Sequence, residues 1–151
     1  MKSLADPVLQ RALDARLSAL APPDRALWGS MSVHQMICHM TEAFDCALGR
    51  KSLAPRKLAL PRPILKFAAL RVPRPWPHSF PSPPEIAQDQ HGKPPIDFAQ
   101  DHAALLAAFH EFCAYPPNPG PPHPYFGRMS TRDWLRWGYL HTDHHLRQFN
   151  R

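Results

Sequence analysis

Residues 130–149 read STRDWLRWGYLHTDHHLRQF. At about 100° per residue, this stretch places Trp134, Gly138, His141, His145 and Gln148 along one face of a helix. Trp137, Leu135 and Phe149 flank that line. Such a face should be apolar and buried, yet two imidazoles stand in the middle of it. Spaced i, i+4, they lie one turn apart, and their ring nitrogens can converge on one point. A buried neutral histidine needs a partner for both ring nitrogens. Two stacked on one face suit a shared cation better than two separate hydrogen-bond acceptors.

Three further helices are expected upstream. Asp6-Pro7 is a cap followed by a first-turn proline, and Leu9, Leu13, Leu17 and Leu20 form the apolar stripe of a helix over residues 6–20. Ser32 with Gln35 three residues later is a capping-box signature. It opens a second helix whose core side is Met36, Met40, Ala43, Phe44 and Ala47, with Gly49 as the stop. On that wheel His39 borders the apolar stripe, and His34 points away to the surface. Asp97 and Gln100 open a third helix that ends at Tyr115, and Phe98, His102, Leu105, Leu106, Phe109 and Phe112 share one face of it. WGSMSVHQ and FGRMSTRD, before the second and last helices, echo one another as the same capping solution at Ser32 and Ser130.

Proline punctuates these segments. Seventeen of the 20 prolines fall within residues 55–95 and 116–124, where they exclude helix interiors. Residues 56–72 have room for a short helix interrupted near Pro61 and Pro63, and VPRPWPHSFPSPP reads as extended chain packed over the body. The expected architecture is all-α: one domain over residues 1–151, a four-helix bundle in up-down-down-up order. A long proline-rich crossover between helices two and three lets those two run in the same direction.

At 151 residues the chain can bury a single core without staples. Three cysteines, Cys38, Cys46 and Cys113, form no disulfide pattern. No signal-peptide pattern opens the chain, and no apolar run approaches the roughly 20 residues of a bilayer span. A cytoplasmic protein with no membrane partner is expected. The formal charge of +6 is moderate, but residues 50–74 carry eight Lys or Arg and no acid. That run reads as a solvated flank or as a cationic rim that draws anions toward a cleft. Aromatics are not interleaved with it as a nucleic-acid stacking platform would require.

The candidate site is His39, His141 and His145. His39 lies seven residues past Ser32, about 10 Å along its helix, and the pair lies about 6–12 Å before the end of the last helix. Antiparallel helices would bring all three to one level; parallel helices would not. Three neutral imidazoles leave open positions on a divalent ion, the pattern of a catalytic site, with Zn²⁺ or Ni²⁺ as the ion. His144 and His102 are alternative or additional ligands, and Cys46, two turns past His39, is a weaker one.

These motifs, MSVHQMICHM in the second helix and HTDHHLRQF in the last, resemble the DinB-like family, which includes YfiT-type proteins. The resemblance covers nearly the whole chain and is closest to a branch classed as a domain of unknown function. It implies a four-helix-bundle metalloenzyme with His39, His141 and His145 as ligands and Gln148 in the family's glutamine place. Leu146-Arg147 stands where Arg-Gly is usual, and the proline-rich segment is an addition to simpler members. Thiol-dependent transferases and isomerases occur in that family. The resemblance therefore implies metal-assisted activation of a low-molecular-weight thiol toward a small anionic or electrophilic substrate. A non-catalytic metal-binding or structural bundle is the alternative, and a nucleic-acid binder comes third. No apolar stripe demands a homodimer, though the bundle leaves room for one.

Overall fold

The computed structural model describes residues 1–78 and 80–151. Among these residues there are five α-helices and no strand: α1 (Pro7–Ser18), α2 (Val33–Ala47), α3 (Arg62–Arg71), α4 (Phe98–Ala114) and α5 (Thr131–Gln148). A 3-10 turn at Pro84–Ile86 lies between α3 and α4. None of the helices is long and apolar enough to cross a membrane.

The ends of the helices follow local chemistry. Asp6 accepts from Val8 N and Asp97 from Gln100 N. Ser32 with Gln35, and Ser130 with Asp133, form complete capping boxes. Gly49, with φ of +80°, follows the last turn of α2, a backbone that other residues adopt only under strain. One expectation needs correction. Pro61 and Pro63 do not interrupt a helix; Pro61 caps α3 and Pro63 sits in its first turn, where no backbone N–H donor is needed.

Side-chain contacts fix how the helices run. Trp28 O, just before α2, meets the Gln148 amide, and along α2 His39 meets His145 and Phe44 meets Trp137, so α2 and α5 are antiparallel. His34 meets Asp101 while Phe44 meets Phe109 and Phe112, so α2 and α4 run the same way. Leu17 O bonds His102 and Asp14 bonds His110, which sets α1 against α4. Leu4 N bonds Leu135 O and Arg16 bonds Asp143, which sets α1 along α5. Phe44, Phe109, Phe112, Leu13, Leu17 and Met40 are completely or almost completely buried between these helices, each worth roughly 1.5–3 kcal/mol by burial.

The crossover is fastened by charge. Lys51 bonds Glu42 and Glu85 O, Arg56 makes two bonds to Glu85 at 2.8 and 2.7 Å, and Arg50 bridges Asp45 and Glu111. Lys66 and Arg71 of α3 both reach Asp133 on α5, and buried Arg136 of α5 returns a bond to Leu70 O at 3.0 Å. Five of the eight cations in residues 50–74 are thus paired with acids of the body or the crossover, with 29–46% of each side chain still exposed. Residues 72–78 and 80–83 carry no regular secondary structure before the 3-10 turn, and Ser79 between them lies outside the described residues. Trp76 anchors that segment by donating to Ala69 O at 2.9 Å.

Candidate metal centre

Helix α2 delivers His39 into the interior because its neighbours Met36, Met40 and Ala43 occupy the buried side of the same helix. On α5, His141 and His145 project toward it from the antiparallel direction. The three imidazoles are 3–8% exposed. Each offers a ligating atom within 4.8 Å of the others, and their ring centroids are 4.7–5.5 Å apart.

Hydrogen bonds orient two of the rings. His39 Nδ1 lies 2.9 Å from Ile86 O. A carbonyl can only accept, so Nδ1 carries the proton and Nε2 keeps its lone pair. His145 Nδ1 lies 2.9 Å from Gln148 Oε1, and the Gln148 amide nitrogen donates to Trp28 O at 2.8 Å. That second bond fixes which way the amide faces, so His145 is held in the same tautomer. His141 stacks on Trp137 at 4.8 Å and 16°. Its Nδ1 is buried with no hydrogen-bond partner, a cost of about 1–3 kcal/mol unless something pairs with it.

Burial also fixes charge. Desolvation pushes the pKa of His39 down, and those of His141 and His145 well down, with neighbouring imidazoles adding to the last two shifts. The three rings are therefore neutral at pH 7, the state in which imidazole is a ligand. Two oriented neutral donors and a third with an orphaned ring nitrogen fit a divalent cation.

The three histidines line a cavity of about 620 Å³, within the usual range for small-molecule sites. Leu53, Leu65, Trp76, Tyr125, Phe126 and Trp137 form much of its wall, and no acid lines it among the described residues. The crossover covers one side through Arg74, Trp76 and Phe80. Trp28 and His78 stack at 3.9 Å and 7° beside His144.

The other candidate ligands separate. His144 lines the cavity next to His145, with ring centroids 5.3 Å apart. Cys46 also lines it, but burial pushes its thiol up to about 12. His102 turns away and bonds Leu17 O at 2.8 Å. His34, expected at the surface, is partly buried and bonds Asp101 at 2.9 Å, because α4 packs over that side of α2. With Cys38 these two form a second close group. Lys93 and Ile96 N already hold the Asp101 carboxylate, so that group is satisfied within the protein.

Two contributors escaped the sequence reading. His123 lines the cavity from the loop before α5 and stacks on Phe126 at 4.2 Å and 9°. Trp76 lies 6.3 Å from His141 by ring centroid. Neither has helical periodicity to mark it; the bracketing of His123 by Pro122 and Pro124 was the available signal.

A family model described as "Protein of unknown function (DUF1569)" matches residues 2–151. No curated protein and no solved structure matches the chain.

Proposed function

The chain belongs to the DUF1569 family, whose members are described as proteins of unknown function, and from that premise we propose that it is a cytoplasmic metal-dependent enzyme of DinB-like type. In this reading α1, α2, α4 and α5 make an up-down-down-up four-helix bundle, with residues 50–96 as the crossover. The supporting observation is the convergence of His39, His141 and His145, all neutral, two of them locked with Nδ1 turned outward. A zinc or nickel ion held there would act as a Lewis acid and favour the thiolate form of a low-molecular-weight thiol at neutral pH.

The residues of the chain do the rest. Ile86 O and Gln148 set the tautomers of His39 and His145. Trp137 holds the plane of His141 by stacking. The crossover covers one side of the site, and the apolar wall accommodates a small electrophilic or anionic substrate beside the thiol. The reaction class is transfer of the thiol sulfur to an electrophile, or a related metal-assisted transfer or hydrolysis.

The test begins with metal analysis of protein purified without a histidine tag, then assays dependence on added thiol. One equivalent of divalent metal per chain, with turnover of a model electrophile that needs both metal and thiol, is expected. Absence of metal uptake by the untagged protein would overturn the reading. The alternative is a non-catalytic bundle, favoured by the fact that the His39 and His145 hydrogen bonds would also satisfy purely structural histidines. Metal uptake with no thiol-dependent turnover supports that alternative.

A further inference from the structure

The cavity above the three histidines is much larger than a metal site requires, at about 620 Å³. Two aromatic groups line it. Trp28 lies beside it, stacked with the lining residue His78, and Trp76 and His144 sit next to that pair. Tyr125, Phe126, His123 and Trp137 form the other group. The lining carries two fixed charges among the described residues, both positive: Lys51 and Arg74. Lys51 is consumed by Glu42 and Glu85 O. Arg74 is exposed and makes no ion pair among the described residues. It sits in the loop just after α3, whose Leu65, Ala68 and Ala69 line the same cavity.

We infer that this cavity binds an amphiphilic organic anion, with a flat apolar body between the aromatic groups and its carboxylate or sulfonate at Arg74. The inference rests on reading this cavity as the substrate pocket of the proposed enzyme, and it names the class of substrate. Apolar walls favour the body by burial, and flat aromatic partners favour a planar one through stacking. An acid-free lining gives a cationic ligand no counter-charge, whereas an anion meets Arg74 without displacing an existing partner. An aromatic cage for a quaternary ammonium would also be aromatic-lined, but it would not place an unpaired guanidinium in its wall.

The test uses the full chain, metal-free and zinc-loaded, with two dyes of similar shape: 1-anilinonaphthalene-8-sulfonate and the uncharged N-phenyl-1-naphthylamine. Both are expected to bind at one equivalent to either form. Arg74→Gln should weaken the sulfonate about fivefold, the scale of one partly exposed ion pair, and leave the neutral dye within about twofold. Ala69→Trp, which adds bulk from the half-buried, cavity-lining side of α3, should weaken both at least about tenfold. Far-UV circular dichroism checks its fold, and Leu53→Trp takes its place if that variant does not fold. Phe67→Ser, on the exposed outer face of α3, should change neither dye.

Equal loss of both dyes in Arg74→Gln, or no loss of either, overturns the anionic assignment. Unchanged binding in the cavity-filling variant, or a matching loss in Phe67→Ser, overturns the location. Metal content is measured on the same samples. Dye binding without metal uptake sinks the metal reading and leaves this one standing; metal uptake without dye binding does the reverse.

Discussion

His145 and Gln148 share a hydrogen bond of 2.9 Å inside one turn of α5, and the same glutamine amide is pinned at its other end by Trp28 O at 2.8 Å. The peptide before α2 therefore dictates the tautomer of an imidazole on the last helix. Replacing Gln148 by Leu removes that control and leaves a buried ring nitrogen and a part-buried carbonyl without their partner. The expected result is a 10–100-fold loss of metal affinity, in the range seen for outer-shell partners of metal ligands. A stability loss of about 1–3 kcal/mol in the metal-free form should accompany it. Chelator competition and urea unfolding measure the two; unchanged metal affinity would remove Gln148 from the site.

His145→Gln separates a metal ligand from a core histidine. If the imidazole is a ligand, metal stoichiometry should collapse while the metal-free chain stays folded, because the apolar neighbours of α5 remain. If it is only a buried hydrogen-bonded group, metal content should not change and stability should fall by about 1–3 kcal/mol. We expect the metal to go and the fold to stay.

Acid should weaken the metal-free protein well above the carboxylate range, and His123 gives a clean way to see it. Burial pushes its pKa from 6.5 down to about 3. The unfolded chain takes up the proton first, so stability is fully present above pH 6.5 and drains as pH falls toward about 3. The slope is about 1.4 kcal/mol per pH unit for each such group. His123→Phe should flatten the dependence of urea stability on pH between 6 and 4 by about that amount, whatever offset the substitution introduces. An identical slope in both proteins would contradict it.

The thiols should be inert in the native state. Desolvation raises Cys38 to about 11 and Cys46 and Cys113 to about 12, and the thiolate is the reactive form. A chromogenic disulfide at pH 7.5 should react slowly with the folded protein and promptly with three thiols in denaturant. Fewer than three would mean that the cysteines are not all reduced.

Gly138 lies on the buried face of α5 against α4 and the N-terminal segment. A Cβ there would meet Phe112 Cε1 at 2.6 Å and Leu4 Cδ1 at 2.9 Å. Alanine would add up to about 1 kcal/mol of helix propensity, against about 1–3 kcal/mol for overpacking two fully buried side chains. Net destabilisation is expected for Gly138→Ala, with a larger loss for valine. A rise in Tm for the alanine variant would show that the core can shift to make room.

What the sequence disclosed was whatever a single helix could encode. His141 and His145 share a face by the arithmetic of one helix, and Ser32 with Gln35 announces its own turn. The tautomers were invisible, because Ile86 O reaches His39 across 47 residues and Trp28 O reaches Gln148 across 120. His34 was misplaced for the same reason: a wheel drawn for α2 knows nothing of Asp101, which arrives from α4. The crossover was the least legible part. Its course depends on pairs such as Arg56 with Glu85 and Arg71 with Asp133, and proline content marks only where a helix cannot continue.

The pinning of Arg50, Lys51, Arg56, Lys66 and Arg71 changes what an excess of positive charge means in this chain. Cations that look from composition like a lure for distant ligands are instead rivets, each committed to a carboxylate a few ångströms away. Dissolved salt competes mainly with exposed and half-exposed pairs, so ionic strength acts first on how firmly the cover sits over the three histidines. In this protein, salt works on the roof of the pocket before it works on the approach to the door.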